Sequence, residues 1–465
     1  MQSIITSFII AGCFLFTLSI PQSAGAQDTL SINLTDFIQK GLERSGQVAY
    51  EGHVIDLAEN RVNQAQSQRI LPRIEFSSQH GLIPGVVSNR TDLSPGRYYL
   101  DPDLENNWED WAIFTRAELN AVQPLFSWGA ISSAVKAAQA GARAANYQFS
   151  AVKAEAELQL FELYYSYLLA TEITRILEDA NEQIDRVERQ LYQMRDDGDP
   201  GLKESDLFKF DIFKSEFQVQ VTEVRESLDF VRRVWNYALQ AEPGMVYEPE
   251  ENFLDPIPYE LNDFDYYHFQ AFNLRPELKG VESGIEALKS SVDATRAQQY
   301  PMIFLGITAS YANTPNRPRQ TNPFIINNTN YASAGIGFGI RQNLNFSATR
   351  STIERTEIEY RRVNDLHKAV SDGIVLELNE SYREAVIADA KVGQTRESLA
   401  IARNWVRNEQ LNYDIGFGDV EDLLDAVSKE LELRLQLNQN IYDLNVKIAT
   451  LLKTGGIPVS QMNVN

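Results

Sequence analysis

Cysteine occurs once in the 465 residues, at Cys13. It sits inside an apolar run from Ile4 to Ile20 that is followed by Ala24-Gly25-Ala26, an A-x-A-like cleavage site. Residues 1–26 therefore read as a secretory signal peptide, and its removal leaves a chain with no thiol. Disulfides, thiol catalysis and cysteine-type zinc sites are then excluded. Basic residues are also scarce: 42 Lys and Arg against 64 Asp and Glu give a net charge of −22. That balance argues against a nucleic-acid partner, because phosphate binding needs a Lys/Arg excess. It suits a solvated acidic surface or a lumen that favours cations. A mean hydropathy of −0.31 excludes a bundle of transmembrane helices. Only four histidines are present, His53, His80, His268 and His367, scattered without metal-ligand spacing such as H-E-x-x-H. The sequence points to no catalytic group, no metal and no cofactor.

The signal reading has rivals. No Lys or Arg precedes Ile4, although signal peptides normally carry one there. Ile10-Ala11-Gly12-Cys13 resembles a bacterial lipoprotein processing site, which would make Cys13 an acylated N-terminus, but the apolar run continues past it. An uncleaved anchor helix is disfavoured because the run is short for a bilayer span.

What the chain does have is an internal repeat. Each half reads as helix, β-like segment, polar loop, second β-like segment, very long helix, tight turn and shorter helix. The opening helices span Leu34 to Leu71 and Asn262 to Tyr300, each ended by a proline, Pro72 and Pro301. After each proline the period becomes two. Ile74 and Phe76 alternate with Glu75 and Ser77. Ile303, Leu305, Ile307 and Ala309 alternate with Phe304, Gly306, Thr308 and Ser310. In the second segments, Ile113, Leu119 and Ala121 oppose Arg116, Glu118 and Asn120, and Ile336, Phe338 and Ile340 oppose Gly335, Gly337, Gly339 and Arg341. Strands are expected at about 73–84, 112–126, 302–311 and 331–345. Segments of about ten alternating residues suit transmembrane strands, although a half-buried strand of a soluble sheet alternates in the same way. The signal peptide and flanking helices favour the membrane. Tyr98, Tyr99, Trp108 and Trp111, near the base of the first loop, are candidate interfacial aromatics or a local loop cluster.

The long helices, Ala130 to Arg195 and Ala348 to Tyr413, contain no proline. At ~1.5 Å per residue each reaches roughly 100 Å. Leu158, Phe161, Tyr165 and Leu168 give an apolar stripe that demands packing partners. Shorter helices, Lys203 to Gln240 and Asp419 to Lys453, can fold back on them. Pro243, Pro249, Pro256 and Pro258, with acidic residues between, read as a linker over 242–261. The organisation is then a signal peptide at 1–26, a first repeat at 27–241, the linker, and a second repeat at 262–465.

Four motifs stand in order along this plan: Val122-Gln123-Pro124-Leu125-Phe126-Ser127-Trp128-Gly129, Asn273-Leu274-Arg275-Pro276-Glu277-Leu278, Arg341-Gln342-Asn343-Leu344-Asn345-Phe346, and Tyr413-Asp414-Ile415-Gly416-Phe417-Gly418 with Asp419 to Ala426. They resemble the strand-to-helix junctions, the second-repeat entry and the periplasmic tip turn of the TolC-like outer-membrane efflux family, over nearly the whole mature chain. The resemblance implies a mainly α protein with transmembrane β-strands, working as an exit duct of a tripartite efflux pump or a type I secretion system. Four strands cannot close a barrel, so several chains must contribute. Two copies give eight strands and three give twelve, and the resemblance selects three, a homotrimeric 12-stranded β-barrel continued by an α-helical periplasmic barrel. Implied partners are outer-membrane lipid, a periplasmic adaptor and, through it, an inner-membrane transporter.

The resemblance also assigns site candidates. Gly198 and Gly201 in the first tip, and Gly416 and Gly418 in the second, would meet the adaptor. Asp422 and Asp425 match pore-lining aspartates; three apart on one helix, they share a face, and threefold symmetry would make each a ring of carboxylates. Tyr413 matches a tyrosine that bonds an aspartate of the first tip, with Asp206 the candidate partner, while Gly418 stands where the family carries an arginine. The competing function is an exported structural or adhesive coiled-coil protein. It would keep apolar a/d heptads throughout, whereas alanine-rich patches and two hairpins interrupt them here.

Overall fold

A computed structural model gives the structure over residues 28–89, 103–198, 202–241, 245–319, 324, 327–414 and 420–460. The signal segment and Cys13 lie outside the described residues, as do Tyr98 and Tyr99.

The first half runs β1 (Asp28–Ile32), α1 (Leu34–Arg44), α2 (Gly46–Ile70), β2 (Arg73–Val87), β3 (Glu105–Phe126), α3 (Ala130–Asp197) and α4 (Glu204–Ala238). The second runs in the same order: β4 (Met245–Pro249), α5 (Phe264–Leu274), α6 (Pro276–Ala297), β5 (Met302–Asn313), β6 (Tyr331–Arg341), α7 (Phe346–Asp414) and α8 (Val420–Thr454). The protein is mostly helical.

The opening helix of each half, expected as one piece, is two. Ser45 is extended and its Oγ accepts the Val48 N–H, so one residue ends α1 and starts α2. In the second half Pro276 occupies the first turn of α6, and the residue before a proline is driven out of the helical region. Arg275 takes that position with ψ of 121°. Its guanidinium is buried and paired with Glu277 at 3.0 Å and Glu377 at 2.6 Å, which ties the kink to α7.

The stretch read as a linker is built into the fold. Its β4 pairs in parallel with β1. Tyr247, Leu254 and Ile257 are buried in the main core with Phe37, Phe161, Tyr164 and Trp235. Trp235 is fully enclosed, 4.2 Å from the Phe37 ring centroid, and its Nε1 donates to the Leu163 carbonyl at 3.0 Å. Asn445 of α8, also fully buried, accepts the Ile257 N–H and donates to the Asp255 carbonyl, each at 2.9 Å. These two bonds satisfy backbone groups that the prolines leave without a ladder partner.

The second sheet has four antiparallel strands in the order β2-β3-β5-β6, so the two hairpins join through β3 and β5. β2 and β3 extend beyond the expected ends at 84 and 112. Pro84, at the expected strand end, and Gly85 lie at a register shift that accommodates the missing proline donor. β6 stops at Arg341 rather than 345, and the asparagine-rich 342–345 forms an irregular junction in which Asn343 Oδ1 accepts the Asn345 N–H.

Replacing Asn445 with Ala leaves the Ile257 N–H and the Asp255 carbonyl buried without these bonds, a cost of about 1–3 kcal/mol per orphaned group. Denaturant unfolding of the detergent-extracted protein should show that loss, with new protease cleavage around residues 254–258.

Candidate functional site

The sheet segregates two faces by register. Ile74 pairs with Ala121, Ala121 with Ile307, and Ile307 with Ile336, so one row of apolar side chains crosses all four strands on one face. Phe76, Leu119, Ala309 and Ala334 form the next row. Phe76, Leu82, Ile113, Ile336, Phe338 and Ile340 are all strongly exposed there, Phe338 to 80%. His80, on the same face, is bonded to Ser78 at 2.8 Å and Thr115 at 3.0 Å. The opposite face is mainly small or polar, with Phe304 among its exceptions: Ser77, Glu118, Ser310 and Ser333 form one row, with the hydroxyls of Ser310 and Ser333 2.8 Å apart.

Aromatic clusters mark the two ends of the apolar face. Trp108 and Trp111 lie 5.9 Å apart at one end, with Trp111 Nε1 donating to the Trp108 carbonyl. Phe126, Trp128 and Tyr300 cluster at the other, where Trp128 Nε1 donates to the Pro301 carbonyl at 2.9 Å. Trp128 has φ of +52° and Gly129 +87°, a left-handed pair that turns the chain from β3 into α3. Among the described residues no helix is long and apolar enough to cross a membrane.

Below the sheet the helices stand side by side. Nearer the sheet α3 packs against α2 and α6, and α6 against α7; toward the tip α3 packs against α4 and α8, and α8 against α7. The result is a one-layer wall with α2 and α4 on one margin and α7 on the other. From Ile374 to Ala402 the buried positions of α7 step alternately by four and three residues. This is a coiled-coil seam, contrary to the expectation that heptads would be interrupted. Sequence reading missed it because Ser381, Thr395 and three alanines, Ala385, Ala388 and Ala402, occupy seam positions. The margins carry exposed apolar side chains: Phe208, Ile212, Val219, Phe230 and Tyr237 on α4, and Leu376, Ile401, Trp405 and Leu411 on α7.

At the tip, Gly198 has φ of +68° and ends α3, its N–H meeting the Arg195 and Met194 carbonyls. Gly201, Gly416 and Gly418 lie outside the described residues. Asp422 and Asp425 are both exposed on α8, while Val420, Leu423, Leu424 and Ala426 are buried on its other side. Tyr413 and Asp206 do not form the expected pair within the chain. The Tyr413 hydroxyl donates to Met194 Sδ at 2.9 Å. The Asp206 carboxylate is buried at the start of α4, accepting the Lys203 N–H at 3.1 Å and the Ser205 hydroxyl at 3.3 Å. Asp206 is thus a helix cap, a role its sequence position three residues after Lys203 allows. Two contacts at the tip escaped sequence reading because their partners are far apart in the chain. Lys209 of α4 is paired with Glu421 of α8. Lys214 of α4 bridges Glu188 at 2.6 Å and Asp185 at 3.5 Å on α3, and its hydrogen bond to Glu188 raises its pKa.

Residues 269–456 match the family model described as outer membrane efflux protein. No curated protein matches the sequence. Among solved structures, the outer-membrane channel OprN superposes with a TM-score of 0.72 at 14% identity, covering 91% of this chain and 89% of that one. The CmeC outer membrane channel of Campylobacter jejuni gives 0.70 at 13% identity, covering 92% and 87%. The outer membrane protein VceC of Vibrio cholerae gives 0.71 at 15% identity, covering 92% and 96%. The family match over residues 269–456 and the shared fold over about nine-tenths of the chain bear out the resemblance to the TolC-like outer-membrane efflux family.

Asp206→Ala should cost about 1 kcal/mol through loss of the α4 cap. Hydrogen exchange should show faster opening confined to the first turns of α4, and Asp206→Asn should restore much of the protection.

Proposed function

From the motifs and fold of an outer-membrane efflux channel, we propose that this chain is the passive exit duct of a tripartite efflux pump or type I secretion system. The observation that carries the reading is the four-stranded sheet. Its apolar face is bare, and its outer strands, β2 and β6, pair with no further strand among the described residues. Unpaired strand edges are not tolerated in hydrocarbon. Three chains joined edge to edge make a twelve-stranded barrel with the apolar rows toward lipid and the serine rows toward the lumen. The margins of the helical wall, α4 and α7, would meet in the same way, so the helices continue the barrel as a tunnel across the periplasm. Trp111 and Phe126 are about fifteen residues apart along β3, roughly 50 Å, or about 35 Å along the membrane normal at a strand tilt of ~45°. That separation suits two interfacial girdles.

In this reading the chain divides into the repeats 27–241 and 262–465. The tip glycines Gly198, Gly201, Gly416 and Gly418 dock on a periplasmic adaptor, and the adaptor on an inner-membrane transporter. Asp422 and Asp425 each form a ring of three carboxylates at the tunnel mouth, with Tyr413 helping to hold the closed state through Met194 rather than Asp206.

Two measurements test this. Ile307→Arg should destabilise the inserted barrel by about 2–4 kcal/mol and deplete the protein from outer-membrane extracts. Thr308→Arg, on the other face, should insert normally. Equal tolerance of the two would reject the lipid-facing assignment. In planar bilayers, Asp422→Ala combined with Asp425→Ala should reduce cation selectivity and block by multivalent cations, and unchanged selectivity and block would remove these residues from the gate.

A further inference from the structure

The polar face of the sheet ends, at the helix junction, in a cavity of about 830 Å³. Arg73 at the start of β2 and Arg341 at the end of β6 both line it, with Glu75 and Asn120 beside them. Leu71, Val122, Pro124 and Met302 supply an apolar wall. Among the described residues neither arginine has a carboxylate within 4.0 Å, although this chain carries 64 acidic residues against 42 basic ones. Farther along the same face Arg116 is neutralised by Glu118 at 2.9 Å.

Arg341 is also held in place. Its guanidinium lies 5.1 Å from the centroid of the Phe304 ring. That ring occupies the space over Gly339, where an added Cβ would come within 2.5 Å of it. Glycine at 339 therefore lets the ring lie across β6, and the ring supports the guanidinium on a flat, partly apolar surface. Two unpaired guanidiniums, one carboxylate and an apolar wall make a local site of net positive charge in an otherwise acidic protein. A guanidinium fork matches an oxyanion geometrically, and the apolar wall matches a hydrocarbon or aromatic body.

We infer that this cavity is a binding station for amphipathic organic anions, a carboxylate, sulfonate or phosphate on an apolar body, inside the lumen. The inference rests on the conduit reading, which turns the polar face inward. Barrel closure would also bring β6 of one chain beside β2 of the next, so Arg341 and a neighbour's Arg73 would stand at the same level, and three copies would form a belt of six arginines.

The test uses the full-length channel in planar bilayers, with 1-naphthalenesulfonate as probe and 1-naphthylmethylammonium as a cation of similar body, each added from the sheet side. The sulfonate should block the wild-type current. Arg73→Gln and Arg341→Gln should each raise the half-blocking concentration about tenfold, as expected for loss of one charge-assisted hydrogen bond. The double variant should lose the block while keeping its conductance, which shows that it still assembles. Block by the ammonium probe should not weaken in any variant. A conducting wild type that the sulfonate does not block, or a double variant blocked as well as the wild type, overturns the inference and leaves the conduit intact. A wild type that inserts but carries no current overturns the conduit reading and the inference with it.

Discussion

The structure is governed by the hydrogen-bonding demand of backbone at a sheet edge. β2 and β6 lie at the two sides of a sheet whose exposed face is apolar, and neither pairs with a further strand among the described residues. Water satisfies such edges in a soluble protein; hydrocarbon cannot. A chain with these edges and this face is incomplete in a membrane, and association is the way to complete it. The helical part repeats the condition in weaker form. A one-layer wall exposes both broad surfaces and both margins, and α4 and α7 carry apolar side chains along theirs. Sheet and wall are continuous through α2, α3, α6 and α7, so closing one constrains the other.

The continuity depends on junctions built from local chemistry. Trp128 and Gly129 turn the chain with two consecutive left-handed residues, and the Trp128 indole is fixed to Pro301 of the other repeat. The second repeat makes the corresponding passage through 342–345, where Gln342 Nε2 donates to the Gln299 carbonyl. Farther down, the aromatic core around Trp235 and the strap from Met245 to Ile257 bind the two repeats together. Asn445 and Arg275 are buried polar groups that make this packing specific: Asn445 bonds the strap, and Arg275, paired with Glu277, also reaches Glu377 of α7.

The sheet faces were legible in the sequence because a strand's period of two is short and strict. Ile74 and Phe76 announce their side without reference to any partner. Helix boundaries were legible where proline set them, at Pro72 and Pro301. The kink at Ser45 was hidden, since a serine inside a polar helical pattern is also an ordinary surface residue. The five-residue strands β1 and β4 gave no alternation to read, and their pairing joins residues more than 200 positions apart. The α7 seam was masked by alanine, serine and threonine at positions where apolar residues were sought. The tip was the least legible part. Asp206 has the sequence signature of a cap as well as that of a latch, and only the three-dimensional arrangement distinguishes them. Arg73 and Arg341 could not be read as a pair, because their standing on one cavity without a carboxylate partner among the described residues is a property of the fold, not of spacing.

The central claim, that the two sheet edges meet between chains in a closed threefold ring, is open to one direct measurement. In a variant with Cys13 replaced, a cysteine is introduced on β2 and another on β6, with a panel of pairs covering the register. Cells are oxidised and outer-membrane proteins are separated under denaturing conditions without reductant. The two edges of one chain are separated by β3 and β5, too far for a disulfide within the chain. The account predicts that the correctly registered pair is driven to a single covalent species of three chains. A reaction that ends at two chains, or that yields no link between chains at any register, would contradict it.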